Sequence, residues 1–397
     1  MKTFRQSPRD PDFVQDPYPL YARARGLGPL LLWEDYGFPC AAGHAEVSAL
    51  LRDRRFGREL PPHLKPERPR HLADFYRLDD RSMLDREPPA HTRLRGLVLR
   101  AFTSRRIASL EPDIAALAGE LIDGLDRREF DLIAAFAEPL PVRVIARLLG
   151  VPEAMWGRLL AWSHAMVVMY QARRDRGVED AANAAARDFA AYLRGHVADR
   201  RGRPADDLIT ALIAAESAGD RLSTDELIAT CVLLLNAGHE ATVHAIGNGV
   251  AAILASGLDP GALFATPTAT AATVEEILRF DPPLHLFTRY ALEDCEAFGH
   301  RFRRGDTVGC LLAAANRDPA SFEAPYRFDP ARVPGPHLSF GAGIHFCVGA
   351  PLARAELAIA LPILFERLPG LSLATPPVFA DRYHFRGLTG LHVRAAR

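Results

Sequence analysis

The chain has 397 residues, of which 48% are hydrophobic and 24% charged, with a formal net charge of -1. That balance is ordinary for a globular protein and gives no electrostatic reason to expect nucleic acid or an anionic membrane as a partner. Five scattered cysteines, an odd number with no CxxC pair, argue against both a disulfide framework and a zinc ribbon.

The N-terminal stretch Met1 to Pro17 is polar, with no apolar leader core, and no later run reaches the ~20 apolar residues of a spanning helix. The expectation is a cytoplasmic protein with no membrane contact. Up to about Leu60, short helices alternate with strand-like pieces at Leu30–Trp33 and Phe38–Ala41. The proline- and arginine-rich stretch from Pro61 to Arg86 reads as an irregular loop. From Pro89 to about Asp281, alanine, leucine and arginine recur at helical spacing. This predicts helices over 91–102, 107–125, 133–149, 153–170, 178–200, 206–217 and 223–254, with Asp131, Asp206 and Ser223 as N-caps. Short β-like pieces follow at Phe287–Ala291, Phe298–Phe302 and Thr307–Leu312, and then a proline-rich meander from Asp318 to Pro336. With no flexible linker and no internal repeat, the fold expected is a single domain over 1–397, mainly α with a small β part.

Four motifs carry chemistry. His91-Thr-Arg-Leu-Arg95 places a histidine and an arginine four residues apart on one helix face, which suits carboxylates. Ala237-Gly238-His239-Glu240-Ala241-Thr242 lies inside the 223–254 helix, where the small Ala237-Gly238 pair lets a flat ring or a small molecule approach. Glu276 and Arg279, three apart on one helix face, can pair. The strongest signal is the decapeptide from Phe340 to Gly349, F-G-x-G-x-H-x-C-x-G, which fixes six positions in ten. It sets Cys347 in a glycine-rich loop just before an apolar helix-forming run, where free backbone N–H groups favour a thiolate. Gly341, Gly343 and Gly349 remove side chains near something flat, Phe340 can shield the sulfur, and His345 can reach an anion on the same partner.

In this order, with Ala315-Asn316-Arg317-Asp318-Pro319 and Phe328-Asp-Pro-Ala-Arg332 between them, the motifs resemble those of the cytochrome P-450 family of haem-thiolate proteins. The resemblance runs from about Asp16 to Leu373. It implies the triangular helical P-450 fold around haem b (heme, iron protoporphyrin IX), with Cys347 as the axial metal ligand in a loop at 337–349. It also implies that Glu276, Arg279 and Arg332 form a buried charge cluster behind the haem, and that His91, Arg95, Arg289 and His345 serve the haem propionates. The 223–254 helix becomes the oxygen-activating element, with Ala237, Gly238, Glu240, Ala241 and Thr242 on the distal side. The chain departs from the family here: Ala241 stands where a threonine usually follows the acid, and Thr242 comes one place late, about 100° around the helix. Glu240 is then expected to deliver protons through water, with Thr242 or a substrate hydroxyl replacing the lost group.

The activity implied is a bacterial monooxygenase acting with dioxygen on a small or medium hydrophobic substrate. The dearth of lysine, only Lys2 and Lys65, agrees with a GC-rich bacterial gene. Electrons are expected from an external ferredoxin and its NAD(P)H-dependent reductase, steered by Arg93, Arg100, Arg105, Arg106 and Arg354. A peroxide-driven peroxygenase and a haem-thiolate ligand sensor are the alternatives. The pocket is expected from the 61–86 loop, the 160–175 segment, the long helix, residues 284–288 and the turn near Tyr383–Phe385. Its lining would include Met166, Val167, Met169, Tyr170, Leu233, Leu284, Leu286 and Phe287.

Overall fold

The helix Thr224–Ser256 forms the axis of the molecule and is buried on nearly all sides. Its start is set by a capping box: Ser223 Oγ accepts from Glu226 N and Glu226 Oε2 accepts from Ser223 N. It ends where Gly257 turns left-handed at φ 71°. The helices Pro139–Leu149, Trp156–Val167, Arg176–Gly202, Pro267–Phe280 and Ala350–Arg367 pack against it. Close crossing is possible because a side chain is missing at Gly249, where a Cβ would stand 2.6 Å from Ile277. This computed structural model describes residues 1–126, 128–170, 174–217, 219–333, 335–383 and 385–395.

The β part is a six-stranded mixed sheet in the order Lys2–Phe4, Leu31–Trp33, Phe38–Ala41, Thr307–Leu311, Leu286–Ala291, Phe56–Gly57. Phe38–Ala41 runs parallel to Thr307–Leu311, which pairs antiparallel with Leu286–Ala291. The sheet therefore ties the N-terminal segment to the chain that follows the Glu276 helix. A three-stranded sheet joins Ser372–Leu373 and Phe130–Asp131 through His392–Arg394.

Several boundaries differ from the periodicity, each for a local reason. The 107–125 helix divides into Ser104–Ala108 and Glu111–Asp123, with Pro112 opening the second. The 133–149 helix divides into a π-helical turn, Ile133–Ala137, and Pro139–Leu149. Asp131 does not cap it: its carboxylate accepts from Ile133 N at 3.0 Å and Leu391 N at 2.8 Å, joining the helix start to the C-terminal strand. The 206–217 helix stops at Ala214, a hairpin of Glu216–Ser217 and Asp220–Arg221 follows, and its cap is Asp207 rather than Asp206. Phe298 is not in a strand. With Gly299 it makes the turn, at φ 52° and 72°, between Cys295–Ala297 and His300–Phe302. The loop expected over 61–86 contains a helix, Ala73–Asp79.

Candidate active site

Cys347 precedes the helix Ala350–Arg367, and its own N–H donates to Phe340 O at 3.0 Å, closing the loop around the sulfur. Gly341 and Gly343 turn left-handed at φ 68° and 72°, and a Cβ on Gly343 would stand 2.4 Å from Leu51 O, so glycine is required there. Gly349 has an ordinary φ of −82° and sits at the helix entry, where a Cβ would lie 3.8 Å from Cys347 Sγ. Burial pushes the Cys347 thiol up; the N–H groups of Gly349 and Ala350 and the Arg95 and Arg354 guanidinium groups only partly offset it. The help expected from the helix end is present in these N–H groups, and burial outweighs it. Phe340 lies beneath Arg354, whose guanidinium is 4.7 Å from the ring centroid.

Around this loop the structure gathers the four expected donor side chains, Arg289, Arg95, His91 and His345. Arg289 is 1% exposed; its Nη1 donates to Thr288 O, and no carboxylate among the described residues pairs with it. Burial, and then Arg58, lower its pKa to about 10. Arg95 Nη2 donates to Phe346 O at 2.7 Å, again without a carboxylate partner among the described residues. The His91 and His345 rings lie with centroids 4.3 Å apart, tilted 50° to each other, and burial holds His91 down at about 4. His345 Nε2 also meets Glu87 at 2.9 Å. A buried Arg289 and a half-buried Arg95, neither with a carboxylate partner among the described residues, a glycine cradle and a thiol at a helix N-terminus fit a flat, dianionic, thiolate-ligated macrocycle. Arg58 belongs to this group, paired with Asp85 at 2.8 Å and 5.5 Å from the Phe287 ring centroid. Nothing in its local sequence marks it.

Behind the loop, Glu276 receives Arg279 at 2.7 Å and Arg332 at 2.9 Å, with both carboxylate oxygens used. Arg279 Nη1 also donates to the carbonyls of Asn316 and Pro325. This is the expected charge cluster, closed to solvent and saturated with partners.

The long helix contributes the opposite wall. Gly238 serves packing: a Cβ there would stand 2.7 Å from Ile145 of Pro139–Leu149. The expectation that the Ala237-Gly238 pair opens room for a ring is corrected for Gly238, because the space beside it is filled by that isoleucine. Glu240 is buried; burial opposes its charge, but His244, His239 and His164 prevail and hold its carboxyl low, at about 2. Thr242 is turned away from Glu240, and its hydroxyl donates to Gly238 O at 2.7 Å. It also meets Glu356, a residue absent from the sequence expectations. Burial pushes Glu356 up to about 8 although Thr242 favours its ionised form, and its Oε1 has no partner.

Near the middle of the long helix a cavity is lined by Phe75, Leu78, Asp79, Ser82, Met166, Tyr170, Ala229, Val232, Leu233 and Asn236. Three of the expected segments supply it. Leu286 packs instead in the N-terminal core, and Phe287 lies against Gly341, 3.5 Å from where its Cβ would be. Tyr383 joins the N-terminal aromatic group, its hydroxyl 2.8 Å from that of Tyr21. Val167 and Met169 are core. Residues 171–173 and 384, within two of the expected lining segments, lie outside the described residues. Of the arginines expected to steer a redox partner, Arg93 is bound to Glu226 and Asp220, Arg106 to Asp206 and Arg354 to Glu275. Arg100 and Arg105 are exposed. Among the described residues no helix is long and apolar enough to cross a membrane.

The family model described as Cytochrome P450 matches residues 268–369. The chain is 38% identical over 400 residues to the cytochrome P450 monooxygenase PikC of Streptomyces venezuelae, covering 97% of this chain and 92% of that one. It is 38% identical over 397 residues to the 6-deoxyerythronolide B hydroxylase of Saccharopolyspora erythraea, covering 96% of each. Among solved structures, P450BioI in complex with an acyl carrier protein ligated to hexadec-9Z-enoic acid superposes with a TM-score of 0.90 at 35% identity. That match covers 97% of this chain and 100% of the other.

Proposed function

The chain belongs to the cytochrome P450 family and is a monooxygenase with the mainly α fold of that family; from this premise we propose how its own residues divide the work. Cys347 would hold the haem iron through its thiolate, and coordination would complete the ionisation that burial resists. A haem held through a thiolate supplies the reductive activation of dioxygen. Arg289, Arg95 and His91 bind the two carboxylates, with Arg58 and Glu87 fixing the surroundings. The substrate is a hydrophobic organic molecule seated in the cavity between Phe75, Met166, Tyr170 and Leu233.

Two proton carriers flank Ala241. Glu240 lies on one side of the helix among histidines, and Glu356 on the other, in contact with Thr242. A Glu356 protonated at neutral pH lies against Thr242, whose hydroxyl donates to Gly238 O and can turn to the Glu356 carboxylate once that proton is released. Together they stand in for the hydroxyl that Ala241 lacks. This supports reductant-driven turnover over peroxide use. Electrons come from a ferredoxin and its NAD(P)H-dependent reductase. The exposed Phe346 beside Cys347 supports docking there, and Arg100 and Arg105 are also exposed.

The observation that carries the reading is the closed cysteine loop beside Arg289 and Arg95, neither of which pairs with a carboxylate among the described residues. The test is the absorption spectrum of the reduced, carbon-monoxide-bound protein beside Cys347→Ala. A strongly red-shifted Soret band that disappears in the variant is expected. A band at the histidine-haem position in the parent protein would overturn the ligand assignment.

A further inference from the structure

The middle of the long helix carries a group of side chains that haem binding does not use. His239 is completely buried, and neither ring nitrogen has a hydrogen-bond partner among the described residues. Its Nδ1 lies 3.9 Å from Glu240 Oε2. His164, on the helix Trp156–Val167, brings Nε2 to 3.8 Å from the same oxygen. The two imidazole rings have centroids 5.2 Å apart, and one atom from each of the three residues falls within 4.8 Å of the others. The second oxygen, Oε1, is occupied separately, by His244 Nε2 at 3.3 Å and Arg382 Nη1 at 3.9 Å.

A buried imidazole with two idle nitrogens is costly unless something accepts its lone pair. Two imidazoles and one carboxylate form a donor set that zinc takes in three-ligand sites, leaving a fourth position open. In a tetrahedral site with bonds of ~2.0–2.1 Å, adjacent ligand atoms stand ~3.3 Å apart, so each contact to Oε2 has to close by only about 0.5 Å. His244 supplies the outer partner that orients a ligating carboxylate. His164, with 43% of its side chain exposed, provides entry from solvent without passing the haem cavity. Arg382 is the one opposing feature, but it lies on the Oε1 side and is half exposed, free to turn toward water.

We propose that His164, His239 and Glu240 form a binding site for a divalent transition metal, zinc foremost, on the far side of the oxygen-activating helix. An occupied site engages Glu240, so zinc slows turnover; this consequence, unlike the binding itself, rests on the proton role proposed for Glu240.

The test uses the haem-loaded enzyme, stripped of loose metal and titrated with Zn2+ against a chromogenic chelator, with X-ray absorption at the zinc edge. One zinc per chain is expected, with nitrogen and oxygen ligands at ~2.0–2.1 Å and none at the ~2.3 Å of a thiolate. His164→Ala, at a partly exposed position, is expected to lose about 100-fold in affinity with haem content unchanged, at least the effect of losing an outer partner. His164→Asn, which keeps the polarity, is expected to behave the same way. Absence of stoichiometric zinc, affinity untouched by both variants, or a sulfur ligand would each overturn the site. Zinc bound as expected with turnover unimpaired leaves the site standing and removes Glu240 from the proton route.

Discussion

The two sides of the long helix treat buried polar groups in opposite ways. Toward the cysteine loop, Glu276, Arg279, Arg332 and Asn316 form a network in which the carboxylate and guanidinium groups are paired and the Asn316 amide bonds Ser339 and Leu338. Along the long helix itself, Asn236 Oδ1 and both nitrogens of His239 have no hydrogen-bond partner among the described residues, and neither has Glu356 Oε1 on the neighbouring helix Ala350–Arg367. Polar groups are expensive to bury in either case. The first set returns that cost as rigidity, holding the loop that carries Cys347. The second keeps it as capacity to bind or to move a proton. In the proposed reading the saturated region is scaffold, and the unsaturated region handles ligands and protons.

The sharpest way to break this contrast is to remove one member of the saturated side. Arg279→Ala removes two of the four hydrogen bonds that Glu276 accepts, leaving Arg332 and Asp329 N, and the expected loss is ~3–5 kcal/mol of unfolding free energy. Denaturant titration of the haem-loaded protein measures it. A loss below ~1 kcal/mol would mean that the network is not what fixes the loop.

On the unsaturated side the effect is one of pH. The Glu356 carboxyl has an ordinary pKa of 4.5 in the unfolded chain and about 8 when folded. Between those values the folded state holds the additional proton, so stability is greatest below the window and falls as pH rises through it, by about 1.4 kcal/mol per unit. Glu356→Gln keeps the shape and cannot release a proton. Its unfolding free energy should be flatter than the parent's across that range. A slope unchanged by the substitution would place the pH dependence elsewhere.

How much of this was legible in the sequence follows the same division. The cysteine loop, the Glu276–Arg279 pair and the Ser223 capping box are local patterns, with all their chemistry within ten residues. What escaped depends on distant chain. The helix Ala73–Asp79 is too short to hold itself, and its N-terminal N–H groups at Asp74 and Phe75 are accepted by Asn183 Oδ1, more than a hundred residues away. Asp207 takes the cap from Asp206 because Arg200 and the Gly150 turn pack against it, while Asp206 stays exposed. Glu356 reads as a solvated residue two places after Arg354, and only the approach of Thr242 reveals it. His164 looks like the polar face of an amphipathic helix until the long helix is set beside it.

A gentler test bears on the missing threonine. Ala241→Thr restores the usual hydroxyl without touching Glu240 or Glu356. If those two already carry the protons, product formed per reductant consumed should stay the same or rise, by no more than a few-fold. Abolished turnover with haem and substrate binding intact would show that the route needs the open space at Ala241.

The smallest effect expected is that of Thr242→Val, which deletes one hydroxyl at nearly constant shape. The bond to Gly238 O is a turn-internal contact whose carbonyl also belongs to the helix ladder, so the stability cost should be about 1 kcal/mol or less. The informative part is the direction of titration. Thr242 is the only group that lowers the Glu356 pKa against burial, so its removal should move the pH-dependent loss of stability upward. Glu356→Gln in the same background should erase the shift. A window that stays in place would separate Thr242 from Glu356 and leave Glu240 as the single carrier beside Ala241.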